Sequence, residues 1–183
     1  MTELISDNYV DQLKALHSGK KRFGVMSEQP KYVKIISNLI EESETKELLD
    51  YGSGKQNTEK RFSKNGVSVT SYEPAIDALA NNNIPKEVVI CIDVLEHIEP
   101  DMLENVLADL HRCTLKKGFF TISLRPAVKT LPDGRNAHLI IETSAWWKKR
   151  LLKYFDIQQE ETRVGHSYEV FVTPKAEDEK NIT

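Results

Sequence analysis

A short apolar stretch running into two closely spaced glycines, Glu47-Leu48-Leu49-Asp50-Tyr51-Gly52-Ser53-Gly54-Lys55, constrains this chain more than any other feature. Leu48, Leu49 and Tyr51 read as a strand, and the glycines after them let a polar ligand approach the backbone at the strand's carboxyl end. A second apolar run over residues 67–72 closes on Glu73. That carboxylate follows Gly52 by roughly 20 residues, the interval at which dinucleotide folds set an acid against the two hydroxyls of a ribose. A crevice at a strand end and an adenosine-containing ligand are implied.

The rest of the chain alternates between strand and helix patterns. Tyr32, Ile35, Ile36, Leu39 and Ile40 recur at helical spacing before the strand at residues 46–51. A short helix is expected over 58–64, ended by Asn65-Gly66, then a strand over 67–72 and a brief helical crossover over 76–80, broken by Asn81-Asn82-Asn83. Val88-Val89-Ile90-Cys91-Ile92 is continuously apolar, as befits a strand covered on both faces. A helix over 100–114 buries Leu103, Val106, Leu107 and Leu110; Lys116-Lys117-Gly118 reads as a turn into a strand over 119–124. Residues 125–139 form a polar connection long enough to suggest function. A helix over 143–154 and an antiparallel hairpin of 157–162 with 168–173 complete the pattern. The order predicts an α/β fold: a compact, Rossmann-like, mostly parallel sheet with flanking helices and a C-terminal antiparallel hairpin.

With 183 residues, 39% hydrophobic and 29% charged, one well-filled domain is the expectation. Residues 1–29 read as a lid or cap, 30–173 as the ligand-binding domain and 174–183 as a flexible tail. A net charge of −3 and a pI near 6.0 give no global attraction to polyanions, although Lys20-Lys21-Arg22 and Lys148-Lys149-Arg150 are local basic clusters. Nucleic acid is thus a possible partner but not the favoured one. Cys91 and Cys113 show no paired motif and read as buried thiols of a reducing compartment. No apolar run approaches membrane-spanning length, so the expected location is the cytoplasm. Oligomeric state is not legible.

Three segments together, Leu48-Leu49-Asp50-Tyr51-Gly52-Ser53-Gly54, Glu73, and Cys91-Ile92-Asp93-Val94-Leu95-Glu96-His97-Ile98, resemble the class I S-adenosylmethionine-dependent methyltransferases, and the connection Asp133-Gly134-Arg135-Asn136-Ala137-His138-Leu139 followed by Trp146-Trp147 looks like a feature of small phage and bacterial members. The resemblance spans roughly residues 35–173. It implies S-adenosyl-L-methionine as cofactor, with the glycine segment around its methionine part, Glu73 on its ribose and Asp50 at its amino group. Asp93 joins the implied cofactor set. Two departures stand out: Gln56 occupies the region of an expected third glycine, and residues 74–87 are too few for a full helix, third strand and acidic adenine loop. The third-strand region is therefore shortened, with Asp77 as a substitute adenine contact.

For the acceptor, His138 is the general-base candidate, since it follows a Gly-containing loop near the ligand-bearing sheet edge. A loop histidine bonded to Asp133 is the alternative. Arg135 offers a planar fork for an anion, and one of Trp146 and Trp147 can wall a pocket while the other joins the core. Tyr9 and Phe23, with the basic cluster between them, can fold over the crevice. Asp93, Glu96 and His97 invite a metal, yet no His-Glu-x-x-His helix or cysteine cluster supports one, and Glu96 and His97 read better as structural. The implied activity is methyl transfer to a small metabolite or modified nucleotide. A nicotinamide-dependent oxidoreductase and an inactive S-adenosylmethionine-binding interaction protein are the alternatives.

Overall fold

The computed structural model describes residues 3–18, 27 and 29–176. In chain order the elements are α1 (Asp7–Ser18), α2 (Pro30–Glu42), β1 (Glu47–Tyr51), α3 (Asn57–Phe62), β2 (Ser68–Tyr72), β3 (Lys86–Ile92), α4 (Leu103–Cys113), β4 (Thr114–Ser123), α5 (Ser144–Leu151), β5 (Phe155–Arg163) and β6 (Ser167–Pro174). They form a six-stranded sheet in the order β2-β1-β3-β4-β6-β5. The first four strands in that order pair in parallel, and β6 joins antiparallel to both β4 and β5. Each parallel step needs a crossover that covers a sheet face, which is why β3 is apolar and buried from Val88 to Ile92.

Alternation along the strands sends side chains to two cores. Val88, Ile90 and Phe119 pack under α2, whose Tyr32, Ile36, Leu39 and Ile40 recur at one helical stripe. Val89, Cys91 and Phe120 face α4 and α5 on the other side, against Leu107, Leu110 and Trp147. Trp147 is fully buried, so it is the core member of the tryptophan pair. Both cysteines are buried and unpaired. Among the described residues no helix is long and apolar enough to cross a membrane.

The structure departs from the periodicity reading in two places. Residues 76–80 form consecutive turns, with Ile76 N–H bonded to the Glu73 carbonyl and Leu79 N–H to that of Ile76, rather than a helical crossover. Between Pro74 and the asparagine run there are too few residues to repay helix nucleation, and β2 is left as the sheet edge with no strand beyond it among the described residues. Lys116-Lys117-Gly118 lies inside β4 rather than in a turn: Lys117 aligns with Val88 on one side, and Gly118 with Val89 and with Val172 on the other. At the chain's end, Pro174 still pairs with Phe155, and Lys175 is held by Tyr154 and His111. Residues 177–183 lie outside the described residues.

Gly118 has a packing role that its sequence context conceals. A Cβ there would stand 2.8 Å from both the Phe120 ring and Val172 Cγ2. Gly118→Ala should therefore destabilise the fold by about 1–3 kcal/mol through overpacking. Urea unfolding is the check: a lowered midpoint at unchanged slope is expected, and an unchanged midpoint would mean that the rings move aside freely.

Candidate active site

The strand order reverses between β1 and β3, and the crevice outside their carboxyl ends is where an α/β sheet of this kind binds ligands. A cavity of about 370 Å³ lies there. Its floor is the loop after β1. Gly52 and Ser53 turn across to β2, both donating N–H to the Tyr72 carbonyl, at 2.8 and 2.9 Å. Gly52 has a φ of 81°, and a Cβ there would land on the Val94 side chain, so glycine is required twice over. Gln56, where a third glycine was expected, also takes a left-handed conformation (φ 57°), so the loop keeps a glycine-like path at a residue that carries a Cβ.

Glu73 ties this loop down. Its carboxylate accepts from the N–H of Gly54 at 3.1 Å and of Ala75 at 3.2 Å. Burial pushes its carboxyl above the ordinary range, and these two backbone donors pull it part of the way back. Asp50, the fourth residue of β1, is more deeply desolvated; burial raises it to about 7. Its Oδ2 and the Ser53 Oγ, both at the cavity, have no hydrogen-bond partner among the described residues. Buried polar atoms left in this way suit a polar ligand.

The opposite wall is the turn after β3. Asp93 has a φ of 53°, and the Thr121 hydroxyl both donates to its Oδ1 at 2.7 Å and accepts its N–H at 3.0 Å. Burial holds Asp93 above the carboxylate range, with Thr121 and His138 opposing. The 3₁₀ turn Leu95–His97 then places Glu96 inward and His97 on the cavity. Glu96 is fully buried; its Oε1 accepts from Ser123 N–H at 2.9 Å, its Oε2 has no partner among the described residues, and burial drives it well above the carboxylate range. His138 returns from the 125–139 connection to stand edge-on to His97, ring centroids 4.7 Å apart. The Nδ1 of His138 meets the Arg125 carbonyl at 2.6 Å, and that of His97 meets the Ala137 carbonyl at 2.6 Å. The connection itself is ordered by Asn136, whose amide pairs both ways with the Ala127 backbone.

Helix α1 lies over the crevice. Ser6 caps it, bonding Tyr9 N–H and the Glu99 carboxylate, and the Tyr9 hydroxyl donates to the His97 carbonyl at 2.6 Å. Tyr9 and Leu13 pack on Ala75, Leu131 and Ala137, a third apolar cluster that joins the helix to both cavity walls.

Of the residues singled out from sequence, Asp50, Gly52, Gly54, Glu73, Asp93, Tyr9 and His138 all line this one cavity. Three others stand elsewhere. Asp77 is exposed and pairs with Lys14 at 2.8 Å, drawn outward by the turns that replace the crossover helix. Arg135 is engaged by Asp133 at 2.7 Å, which holds that carboxyl down at about 2. Trp146 sits beside a separate hollow with Arg150 stacked on its ring at 3.2 Å from the centroid. Phe23 and the basic cluster before it lie outside the described residues. Ser53, which was not singled out from sequence, and His97, which was read as structural, also line the cavity; their placement follows from the turns after β1 and β3, which carry no residue periodicity.

A family model described as "Methyltransferase domain" matches residues 25–159. No curated protein sequence matches the chain. Among solved structures the chain is similar to 1,6-didemethyltoxoflavin-N1-methyltransferase of Burkholderia thailandensis, determined with 1,6-didemethyltoxoflavin and S-adenosylhomocysteine (TM-score 0.64, 16% identity, covering 92% of this chain and 90% of that one). It is also similar to magnesium protoporphyrin IX methyltransferase of Synechocystis PCC 6803 with bound S-adenosylhomocysteine (0.55, 14%, 92% and 95%). A third is the N-methyltransferase NodS of Bradyrhizobium japonicum WM9 with the same ligand (0.60, 10%, 93% and 100%). At these identities the likeness is one of fold.

Desolvation of Asp50 makes a stability prediction. Its pKa rises from an ordinary 3.8 to about 7 in the folded chain, so folding favours the protonated form. That preference costs nothing below about pH 4, grows between about pH 4 and 7, and is complete above. Asp50→Asn should match the parent near pH 4 and exceed it by about 4 kcal/mol at most above pH 7. Parallel stability curves for the two proteins across that window would show that Asp50 is solvated.

Proposed function

The chain belongs to the methyltransferase-domain family, and from that premise we propose that it transfers the methyl group of S-adenosyl-L-methionine to a small metabolite or modified nucleotide in the cytoplasm. The observation that carries the reading is the crevice at the ends of β1 and β3. There Gly52, Gly54, Glu73 and Asp93 line the cavity with two buried polar atoms, Asp50 Oδ2 and Ser53 Oγ, that have no hydrogen-bond partner among the described residues. These residues fit the cofactor. Asp50 would hold its ammonium group, Glu73 its ribose hydroxyls with lone pairs beyond those given to Gly54 and Ala75, and the glycine loop its methionine backbone. When bound, the cofactor supplies an already activated methyl group on a cationic sulfur.

The protein's own work is then alignment, exclusion of water and management of one proton. Helix α1 is proposed as the cap of residues 1–29, closing the cavity through Tyr9 and Leu13 over the catalytic domain that follows. The His97–His138 end is proposed for the acceptor. A carbonyl only accepts, so the Arg125 contact puts the proton of neutral His138 on Nδ1 and the lone pair on Nε2, the form that receives a proton from an acceptor hydroxyl or amine. The apolar flank formed by Leu4, Ile5, Pro126 and Val128 favours a small, partly apolar acceptor over a polynucleotide backbone. The solved relatives named for 1,6-didemethyltoxoflavin and magnesium protoporphyrin IX support small molecules as a class. The family match sets aside the nicotinamide alternative.

Calorimetry with S-adenosylmethionine and S-adenosylhomocysteine tests the cofactor half of the reading. Binding should strengthen about 10-fold per pH unit as Asp50 ionises up to about pH 7 and then level off, because the ammonium group binds the carboxylate and expels its proton. Glu73→Ala should weaken binding by about 1–3 kcal/mol. Unchanged affinity in a folded Glu73 variant would remove that assignment.

For the acceptor half, His138→Gln should leave the fold and cofactor affinity intact while slowing single-turnover methyl transfer about 10²-fold. Full single-turnover rates across the pH range would leave His138 as an organiser of its loop.

A further inference from the structure

The polar end of the crevice gathers three side chains of ligating type. Glu96, His97 and His138 each offer one ligand atom within 4.8 Å of the other two. From this convergence we propose a binding site for a divalent first-row transition-metal cation, held by two imidazoles and one carboxylate, with its remaining positions open to the cavity.

Both histidines are pinned in the manner of metal ligands. Each Nδ1 lies 2.6 Å from a backbone carbonyl, that of Ala137 for His97 and that of Arg125 for His138. Carbonyls only accept, so both rings carry their proton on Nδ1 and their lone pair on Nε2, and the second hydrogen bond fixes ring orientation. Glu96 brings an independent observation. Its side chain is fully buried, Ser123 N–H occupies one oxygen, and the other has no partner among the described residues. A buried acceptor left open in that position suits a cation.

The donor set selects the ion. Two nitrogens and one oxygen suit Zn²⁺, Co²⁺, Mn²⁺ or Fe²⁺, whereas Mg²⁺ and Ca²⁺ prefer oxygen shells and Cu⁺ prefers sulfur. With metal–ligand bonds of about 2.0–2.1 Å, tetrahedral ligands stand about 3.4 Å apart, so side-chain rotations that draw the three atoms together by about 1 Å would close the shell. His97 and His138 line the cavity while Glu96 stands behind them, so open positions face the ligand.

What the cation does rests on the methyltransferase reading; whether it binds does not. With the cation bound, His138 Nε2 is a ligand and no longer the base, and an acceptor hydroxyl on the cation, its pKa lowered, loses its proton to solvent instead. Its oxygen lone pair then forms the bond to the methyl carbon as the carbon–sulfur bond breaks. That bonding pair stays on sulfur, leaving a methyl ether, S-adenosylhomocysteine and one released proton.

The full chain, stripped with a chelator, is titrated with Co²⁺ and with Zn²⁺, read by calorimetry and by the visible absorption of Co²⁺, with Mg²⁺ as comparison. One equivalent of Co²⁺ or Zn²⁺ should bind, Mg²⁺ far more weakly. His138→Ala, with its fold checked by circular dichroism, should lose affinity about 100-fold or more, since even outer-shell losses cost 10- to 100-fold. Glu96→Gln should do likewise while its amide oxygen still accepts from Ser123. No binding to the parent protein, or equal binding to parent and a folded His138→Ala, overturns the site. Cation binding that His138→Ala abolishes, in a protein that binds no S-adenosylmethionine, upholds the site and sinks the methyltransferase reading instead.

Discussion

Desolvation of carboxylates at the ends of β1, β2 and β3 is the constraint on which this site depends. Asp50, Glu73, Asp93 and Glu96 are all buried deeply enough to be held above their ordinary range. A fold with no use for them would replace them with apolar side chains at little cost. Each instead meets a donor or lies beside the crevice: Glu73 has Gly54 and Ala75, Asp93 has Thr121, Glu96 has Ser123. The donors cover part of the charge and leave Asp50 Oδ2 and Glu96 Oε2 without any among the described residues. Asp50 lines the crevice, where it is proposed to meet the cofactor's ammonium, and Glu96 stands behind it beside the histidine pair.

The backbone of the site is organised by the same groups. Glu73 would meet the ribose, yet in the ligand-free chain it already closes the glycine loop onto the end of β2. Its loss would therefore disturb the loop as well as a contact, and affinity alone would not separate the two effects. Asp93 shows the same double use at the β3 end, where a left-handed backbone conformation costs of order 1 kcal/mol and is repaid through Thr121. Strain of this kind persists where the surrounding hydrogen bonds over-determine the turn.

Local chemistry was legible in the sequence where a backbone requirement or a continuous pattern stood behind it. Gly52 could be read because its positive φ and the Val94 contact exclude a Cβ, and β3 because burial on both faces demands an unbroken apolar run. The missing strand beyond β2 was countable from the chain length between Glu73 and Val88. Gly118 misled, since glycine after two lysines has the composition of a turn, whereas its real cause is the packing of Phe120 on its own strand and of Val172 on the neighbouring β6. Asp77, Arg135 and Trp146 were chosen for their chemistry alone. Nearby charged side chains, Lys14, Asp133 and Arg150, engage them away from the cavity, and such pairings are invisible until the chain is folded.

The histidine pair shows the same limit in a sharper form. His97 and His138 belong to different segments, and neither carries a spacing that signals a joint site. They meet because Asn136 fixes the 125–139 connection to Ala127, while the Ala137 carbonyl is delivered to His97 by the same turn. Tyr9 closes the arrangement from the third side, donating to the carbonyl of His97 itself. Cap, β3 turn and polar connection therefore share one residue as their common anchor. A movement of α1 that breaks the Tyr9 bond would be felt first at the His97 backbone, which couples opening of the crevice to the geometry of the histidine pair.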